Sequence, residues 1–518
     1  MYLILNDTKM LLVSYAMLLL VLVKMVMAGN FLLWIPMSSK SVKIGVMEVG
    51  YELARRGHQV TVVSPFKSKK EVSGVTEIVI ESSFDEISEK LTEDALLRDG
   101  IEMSLSTVVD VSIENNEHAL TSPEVKDILD NKHVDVVVAL PVFGNEAGYL
   151  VAQKKNASLV LFLTAPVSMP WSNWAVGDIY NPSFIPIAPT GYTQEMTFMQ
   201  RMINTVVTIV FQFGVRDLYA LPKVHSMLAR VFPNEEIPHL NDLIKTTSLM
   251  INHGSPFLGD GLRPVMPQTI FAGLMSCNPH SPLPQDLEDF IQGSEHGVIY
   301  VSFGSVIKAS KMPEAKRQIL LNVFSKLKQR IIWKWEAPMP DAPDNVLVSS
   351  WLPQTSLLAH EKVTLFITHG GAGSLQETIC HGTPVIAVPI MGDQFVNAKV
   401  AVEKNFGVLV RWHEVTEESL DTAIQEVLHN PDYNTAVRRL SDLIMDQPQH
   451  PLDRAAWWME YLLRHPHNKG MRSPVHNLYW FQYFLLDVIL MFLVIFLFII
   501  WIIKKLVQYY RAGKTKKE

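Results

Sequence analysis

The run from 363 to 394, VTLFITHGGAGSLQETICHGTPVIAVPIMGDQ, constrains the fold more than any other part of the chain. Residues 363–368 are a short apolar stretch of strand type and His369 closes it. Gly370, Gly371 and Gly373 then let the backbone turn tightly before a helix begins near Ser374. A second apolar stretch at 384–389 follows and delivers Asp393 and Gln394. Strand, helix and strand in so short a run form a crossover unit, and crossover units build parallel sheets. The helix start turns free N–H groups toward an anion. Glu377, one turn further in, is set back from that anion at a distance suited to hydroxyl groups.

The same rhythm runs through the rest of the chain. Strand-like runs at 31–37, 59–64, 134–142 and 158–164, then at 297–303, 330–335, 345–349, 363–368, 384–389 and 407–411, alternate with amphipathic helical stretches. Between the first two, Ile44, Met47, Tyr51 and Ala54 recur at helical spacing and Gly57 ends the helix. Five prolines in 264–284 read as a linker. The expected fold class is α/β, two Rossmann-like domains facing a cleft. Their spans are 29–263 and 285–450, followed by a closing helix and juxtamembrane segment at 451–482. Ligands of open α/β sheets bind beyond the carboxyl ends of strands. Gly304, Ser305, Trp351, His369 and Asp393 all fall at or just past such an end.

Two apolar stretches bear on the compartment. Residues 10–28, preceded by Lys9 and ending in Val26, Met27 and Ala28, read as a signal peptide occupying 1–28. Residues 484–503 are long enough to span a bilayer as a helix, with Asp487 as the one acid. Lys504, Lys505, Arg511, Lys514, Lys516 and Lys517 follow, which makes 504–518 a cytoplasmic tail and the large domains lumenal. Lys514 and Lys516 have the spacing of an endoplasmic reticulum retrieval signal, and Asn156 opens a glycosylation sequon. A net charge of -7 leaves no basic footprint for nucleic acid. Cys277 and Cys380 are too few for a disulfide framework or a four-ligand zinc site and are expected as buried small hydrophobes.

The run from 366 to 394, with Trp351, Leu352, Pro353 and Gln354, with His360, with SFGS at 302–305, and with PLDRAAWWMEYLLRH and WFQYFLLDVI near the end, resembles the UDP-glycosyltransferase family, specifically its membrane-bound animal members. The likeness covers nearly the whole chain. It implies a GT-B fold and transfer of glucose or glucuronate from a UDP-sugar to a small lipophilic acceptor, with detoxification as the setting. It also implies roles. Trp351 stacks on the uracil, and Gln354 and Glu377 hold the ribose. His369 and the amides of Gly373 and Ser374 hold the diphosphate beside Gly304, Ser305 and Gly371, while Asp393 and Gln394 bind sugar hydroxyls. No Asp-x-Asp pair of the metal-dependent kind is present, so no metal and no cofactor beyond the UDP-sugar co-substrate is expected. The partners implied are the UDP-sugar, the acceptor and the membrane through one C-terminal helix. Homo- or hetero-oligomers with related transferases are allowed.

The acceptor side departs from the family's pattern. Members carry a histidine after the first strand, which takes the acceptor's proton, and an acid that orients it. Counting back from Arg56, Gly57 and His58 places Val42 in the histidine's slot, and Leu140 holds the acid's. Neither can accept a proton. Lys43, Glu48 and Glu146 are the nearby titratable groups. Two function classes therefore stand: a transferase serving acceptors that need little base assistance, such as amines, or a UDP-sugar-binding relative with weak or no transfer activity. The Met- and aromatic-rich stretch 169–232 is expected to line an apolar acceptor pocket.

Overall fold

The computed structural model describes residues 28–68, 70–83, 88–89, 105–164, 169–258, 262–277 and 281–515. The expected signal peptide, apart from Ala28, and Lys516 of the retrieval spacing lie outside the described residues. Residues 1–471 make one compact unit and residues 472–518 a second.

The first unit holds two parallel sheets. Strands β1 (Asn30–Trp34), β2 (Gln59–Ser64), β3 (Val75–Val79), β4 (Val136–Ala139), β5 (Ser158–Leu163), β6 (Thr247–His253) and β7 (Thr269–Gly273) lie in the order β3-β2-β1-β4-β5-β6-β7. Strands β8 (Val298–Ser302), β9 (Arg330–Lys334), β10 (Val346–Ser349), β11 (Val363–Thr368), β12 (Val385–Ala387) and β13 (Gly407–Leu409) lie in the order β10-β9-β8-β11-β12-β13. Central strands such as β4 and β5, VVVA and SLVLFL, are buried along their whole length. Helices cover both faces of a parallel sheet, so its strands are apolar throughout rather than alternating.

Three strands fall outside the expected runs. β3 is an edge strand, VTEIV, with half-exposed side chains and little apolar signal. β6, TSLMINH, is fully buried, but polar residues flank its short apolar middle. β7 lies inside the proline-rich stretch expected as linker, and its five residues belong to the first sheet.

Helix α1 (Lys40–Arg55) follows β1 and is capped by Ser39, whose hydroxyl accepts from the Val42 N–H at 3.3 Å. The last helix of the unit packs against it. Leu452, Ala455, Ala456, Met459 and Leu462, from the helix Pro451–Arg464, share one buried cluster with Leu33, Met47 and Leu53 of the first sheet and α1. Polar contacts reinforce the packing: Arg56 pairs with Asp453 and, at 3.2 Å, with Glu460, and His58 Nε2 stands 3.2 Å from Glu460. The approach is close enough that a Cβ on Gly29 would stand 2.6 Å from the Leu463 methyls.

The expectation for the cysteines is corrected. Cys277 and Cys380 form a disulfide, with Cα atoms 5.5 Å apart across a sequence separation of 103. Cysteine counting excludes a framework but not one bridge, and only the fold brings together two positions so far apart in sequence. The stretch 169–232 divides: Trp171, Val224 and Met227 enter the first sheet's core, whereas Phe198, Met202, Val206 and Phe213 face outward. Asn156 is exposed in a left-handed turn just before β5.

In the second unit the stretch Leu486–Arg511 is helical, with a mean hydropathy of 3.1, long and apolar enough to cross a membrane. The helix starts two residues later than expected and continues through Thr515. Asp487 stands at its beginning, where its Oδ1 accepts from the Val488 N–H at 2.9 Å.

Candidate functional site

In the second sheet the strand order turns back between β8 and β11, the position at which open α/β sheets bind ligands. The chain leaves β8 through Gly304 at φ +87°, a conformation that side chains disfavour. A Cβ on Gly304 would stand 2.6 Å from the His369 ring, and one on Gly371 would stand 2.5 Å from its Nε2. The imidazole at the end of β11 is thus held between two backbones with no room for a side chain on either. Burial lowers its pKa to about 4, the Lys334 charge adds to the shift, and a hydrogen bond with the Ser302 backbone opposes it. The ring is neutral at neutral pH.

Helix α2 (Ala372–His381) begins here. Its N-cap, Gly371, offers no side chain to cap it. The Ala372 N–H donates to Asp393. The N–H groups of Gly373 and Ser374 belong to the same first turn, and a Cβ on Gly373 would meet nothing within 4 Å. With the Ala372 N–H taken by Asp393, the Gly373 and Ser374 N–H groups are the donors of this helix start that suit an anion. Among the described residues the buried Ser305 hydroxyl has no hydrogen-bond partner, which makes it a second polar group open to a ligand.

One turn along α2, Glu377 sits in a polar network. Gln354 donates to it and, at 3.2 Å, to the Ser374 hydroxyl, while Thr355 donates to its second oxygen. The Tyr300 hydroxyl donates to Gln354 Oε1 at 3.2 Å. Burial raises the Glu377 pKa, against the opposing effect of the Thr355 and Gln354 hydrogen bonds. Trp351, just ahead of this network, is 46% exposed, an unusual exposure for so large an apolar ring. Asp393 is likewise raised by burial and accepts from Asn397 at 2.8 Å. Gln394 is committed differently: its Oε1 accepts from the Ile390 and Met391 N–H groups, both at 2.9 Å, so its amide N–H donors are what it can offer.

Every donor-side residue expected from sequence thus lies along the carboxyl ends of β8, β10, β11 and β12. Sequence reasoning missed Lys334, the last residue of β9, which is 11% exposed and paired with Glu336 at 2.6 Å. The strand-end rule that selected its neighbours would have found it. It also missed Thr355, Tyr300 and Asn397, which touch the expected residues rather than the cleft.

The acceptor side has no such network. Val42 lies in the first turn of α1 and Leu140 just past β4, on neighbouring strand ends, and both pack into the first sheet's apolar cluster. Lys43 is buried against Glu77 and the Phe66 carbonyl. Glu146 is wholly buried 3.9 Å from Arg216, with its pKa raised chiefly by burial. His253, at the end of β6, was not anticipated. A Cβ on Gly45, one turn along α1 from Val42, would stand 3.2 Å from its Nδ1. The ring is 3% exposed, burial lowers its pKa to about 4, and its carbonyl accepts from Gln376 of α2 at 2.9 Å.

The fold is that of GT-B glycosyltransferases: the crystal structure of CalG4, the calicheamicin glycosyltransferase, matches 85% of this chain and 99% of its own, with a TM-score of 0.60 at 19% identity. The family described as "UDP-glucoronosyl and UDP-glucosyl transferase" matches residues 30–518, so the chain belongs to the UDP-glycosyltransferases. UDP-glucosyltransferase 2 of Dactylopius coccus is 31% identical over 472 residues, 90% of this chain and 91% of that one. UDP-glucuronosyltransferase 1A1 of Mus musculus is 30% identical over 499 residues, 93% and 91% of the respective chains.

Two measurements check this geometry. Glu377→Ala removes a carboxylate acceptor, which is worth about 1.5–3 kcal/mol for hydrogen bonds to a charged group. UDP affinity by calorimetry should therefore fall roughly ten- to a hundredfold, and equal affinity would remove Glu377 from the site. The second concerns pH. An unfolded histidine takes up a proton as pH falls through about 6.5, whereas folded His369 and His253 refuse it until about 4. The unfolded state binds more protons in that window, so stability falls as pH drops from about 6.5 toward 4. His369→Gln should reduce the slope of unfolding free energy against pH by up to about 1.4 kcal/mol per unit, leaving the share of His253. Urea titrations of the detergent-solubilised protein between pH 7 and pH 4.5 read it, and an unchanged slope contradicts a neutral, buried His369.

Proposed function

We propose that the cleft beside His369 takes a UDP-sugar and that the chain passes its hexose, glucose or glucuronate, to a small lipophilic acceptor. The observation that carries this reading is the concentration, at one switch point, of a helix start whose N-cap Gly371 has no side chain, a buried Ser305 hydroxyl with no hydrogen-bond partner among the described residues, and a polar network around Glu377. In it Trp351 stacks on the uracil and Glu377 with Gln354 binds the ribose. The Gly373 and Ser374 amides receive the diphosphate beside His369, and Asp393 and the Gln394 amide face the sugar. The charge that develops on the leaving diphosphate is met by fixed N–H dipoles and Lys334, a preorganised arrangement that calls for no metal ion.

The acceptor half sets the preference. General-base assistance is worth about 10² to 10⁴ in rate. Val42 and Leu140 supply none, so alcohols and phenols react slowly and the more nucleophilic amines are the better acceptors. Val42→His with Leu140→Asp should raise phenol glycosylation in a donor-consumption assay. The pair is needed because a histidine alone lacks its orienting acid and a buried acid alone is an unpaired charge. Wild-type turnover of a phenol at about 1 s⁻¹ or more would show that another group supplies the base.

We further propose that the protein is a single-pass protein of the endoplasmic reticulum with both sheets lumenal. Basic residues crowd the chain after the apolar stretch 484–503, and the Cys277–Cys380 bridge belongs to an oxidising compartment. In sealed microsomes the large unit should resist protease, and without reductant it should take up no maleimide, since the chain has no other cysteine. Digestion without detergent would sink the orientation.

A further inference from the structure

A second cavity, of about 320 Å³, lies at the far edge of the same sheet. Pro189 and Thr190 form one wall, contributed by a short turn of the first half of the chain. Phe395 and Lys399, on α3 (Gln394–Glu403), and Arg411 and Trp412, just beyond β13, form the other. The cavity therefore opens at the carboxyl ends of β12 and β13, the rim that serves ligands elsewhere in the sheet.

Its charge is one-sided. Lys399, Arg411 and His413 line it and no acidic residue does. Among the described residues Lys399 makes no hydrogen bond or ion pair, and its ammonium stands 5.6 Å from the centroid of the Tyr192 ring. Its pKa is lowered, first by burial and then by the charge of Arg411. Arg411 and His413 share one solvent-exposed carboxylate, that of Glu414, at 3.5 and 3.4 Å. Lys399 is thus a half-buried cation beside the charge of the exposed Arg411, and an anion between the two relieves that repulsion. Most of the remaining lining is apolar, with the Phe395 and Trp412 rings the largest part of it.

We propose that this cavity binds an organic carboxylate with a flat apolar body, its carboxylate between Lys399 and Arg411 and its rings against Phe395 and Trp412. A guanidinium and an ammonium on either side supply charge-assisted hydrogen bonds to the two oxygens. The volume suits a body of about two fused rings, at the small end of ligand pockets. Because the walls come from both halves of the chain, the occupant bridges them. The carboxylate belongs to a free acid: a donor hexuronate has no flat apolar body to set against these rings, although Asp393 and Gln394 immediately precede Phe395 in the chain.

The probe is 2-naphthoate, with neutral 2-naphthamide as its counterpart, titrated calorimetrically into the full-length protein in detergent. The expected result is saturable naphthoate binding, with naphthamide at least about tenfold weaker. Lys399→Gln and Arg411→Gln, made separately, should each weaken naphthoate by about tenfold, the loss expected from one charge-assisted contact. UDP affinity should stay unchanged in both, which also keeps this test separate from that of the donor site. A variant that loses UDP affinity is misfolded, and the other then decides. Displacement of naphthoate by UDP-glucuronate but not by UDP-glucose would assign the cations to the donor sugar and overturn the proposal, whereas no displacement by either supports it. Equal affinity for acid and amide, equal affinity in both variants, or no saturable binding below about 1 mM overturns the proposal.

Discussion

The space left by two absent side chains holds the cleft of the second sheet together. His369 fits between Gly304 and Gly371 because neither carries a Cβ, and the imidazole in turn fixes the separation between the chain leaving β8 and the start of α2. Those two backbones present the Ser305 hydroxyl and the Gly373 and Ser374 amides. Any side chain at either glycine would push the ring out and move both. The close approach of backbone to ring is thus the constraint from which the geometry of the anion site follows.

The electrostatics of the cleft point the same way. Burial raises Glu377 and Asp393 and lowers His369, so its ionisable groups are each held toward their neutral forms or tied into hydrogen bonds. A site with little free charge of its own presents oriented dipoles rather than a cloud of mobile cations. Oriented dipoles need no rearrangement when charge moves from the sugar to the leaving group. The edge cavity is the opposite kind of site, lined by Lys399, Arg411 and His413, and the two share one rim.

Much of this was legible in the sequence because buried parallel strands announce themselves. SLVLFL and VTLFIT are almost wholly apolar, and the rule that open sheets bind ligands past such strands pointed to the strand ends at which Trp351, His369 and Asp393 stand. What escaped has a common cause. β3 is too exposed at its edge to be apolar, and β7 is short and framed by prolines. The Cys277–Cys380 bridge and the use of the Gln394 oxygen to cap its own turn depend on distances that only the folded chain defines. Val42 and Leu140 were read as aliphatic slots, and they do lie in an apolar cluster. His253 could not have been connected with Val42, because its place against Gly45 arises from pairing between β5 and β6.

The helix Pro451–Arg464 enters the core of the first sheet from the other end of the chain, and Arg56 reaches Glu460 across a sequence separation of 404. The halves are therefore not modular in the sense that recombination requires. A crossover placed only in the stretch between the sheets would join one parent's acceptor half to another parent's terminal helix, setting a foreign face against Leu33, Met47 and Leu53. Shuffling of acceptor halves among relatives carries a hidden second junction near residue 450, and chimaeras that respect both junctions inherit a matched core. In this architecture the unit of exchange is discontinuous, because β1, α1 and the helix Pro451–Arg464 make one core.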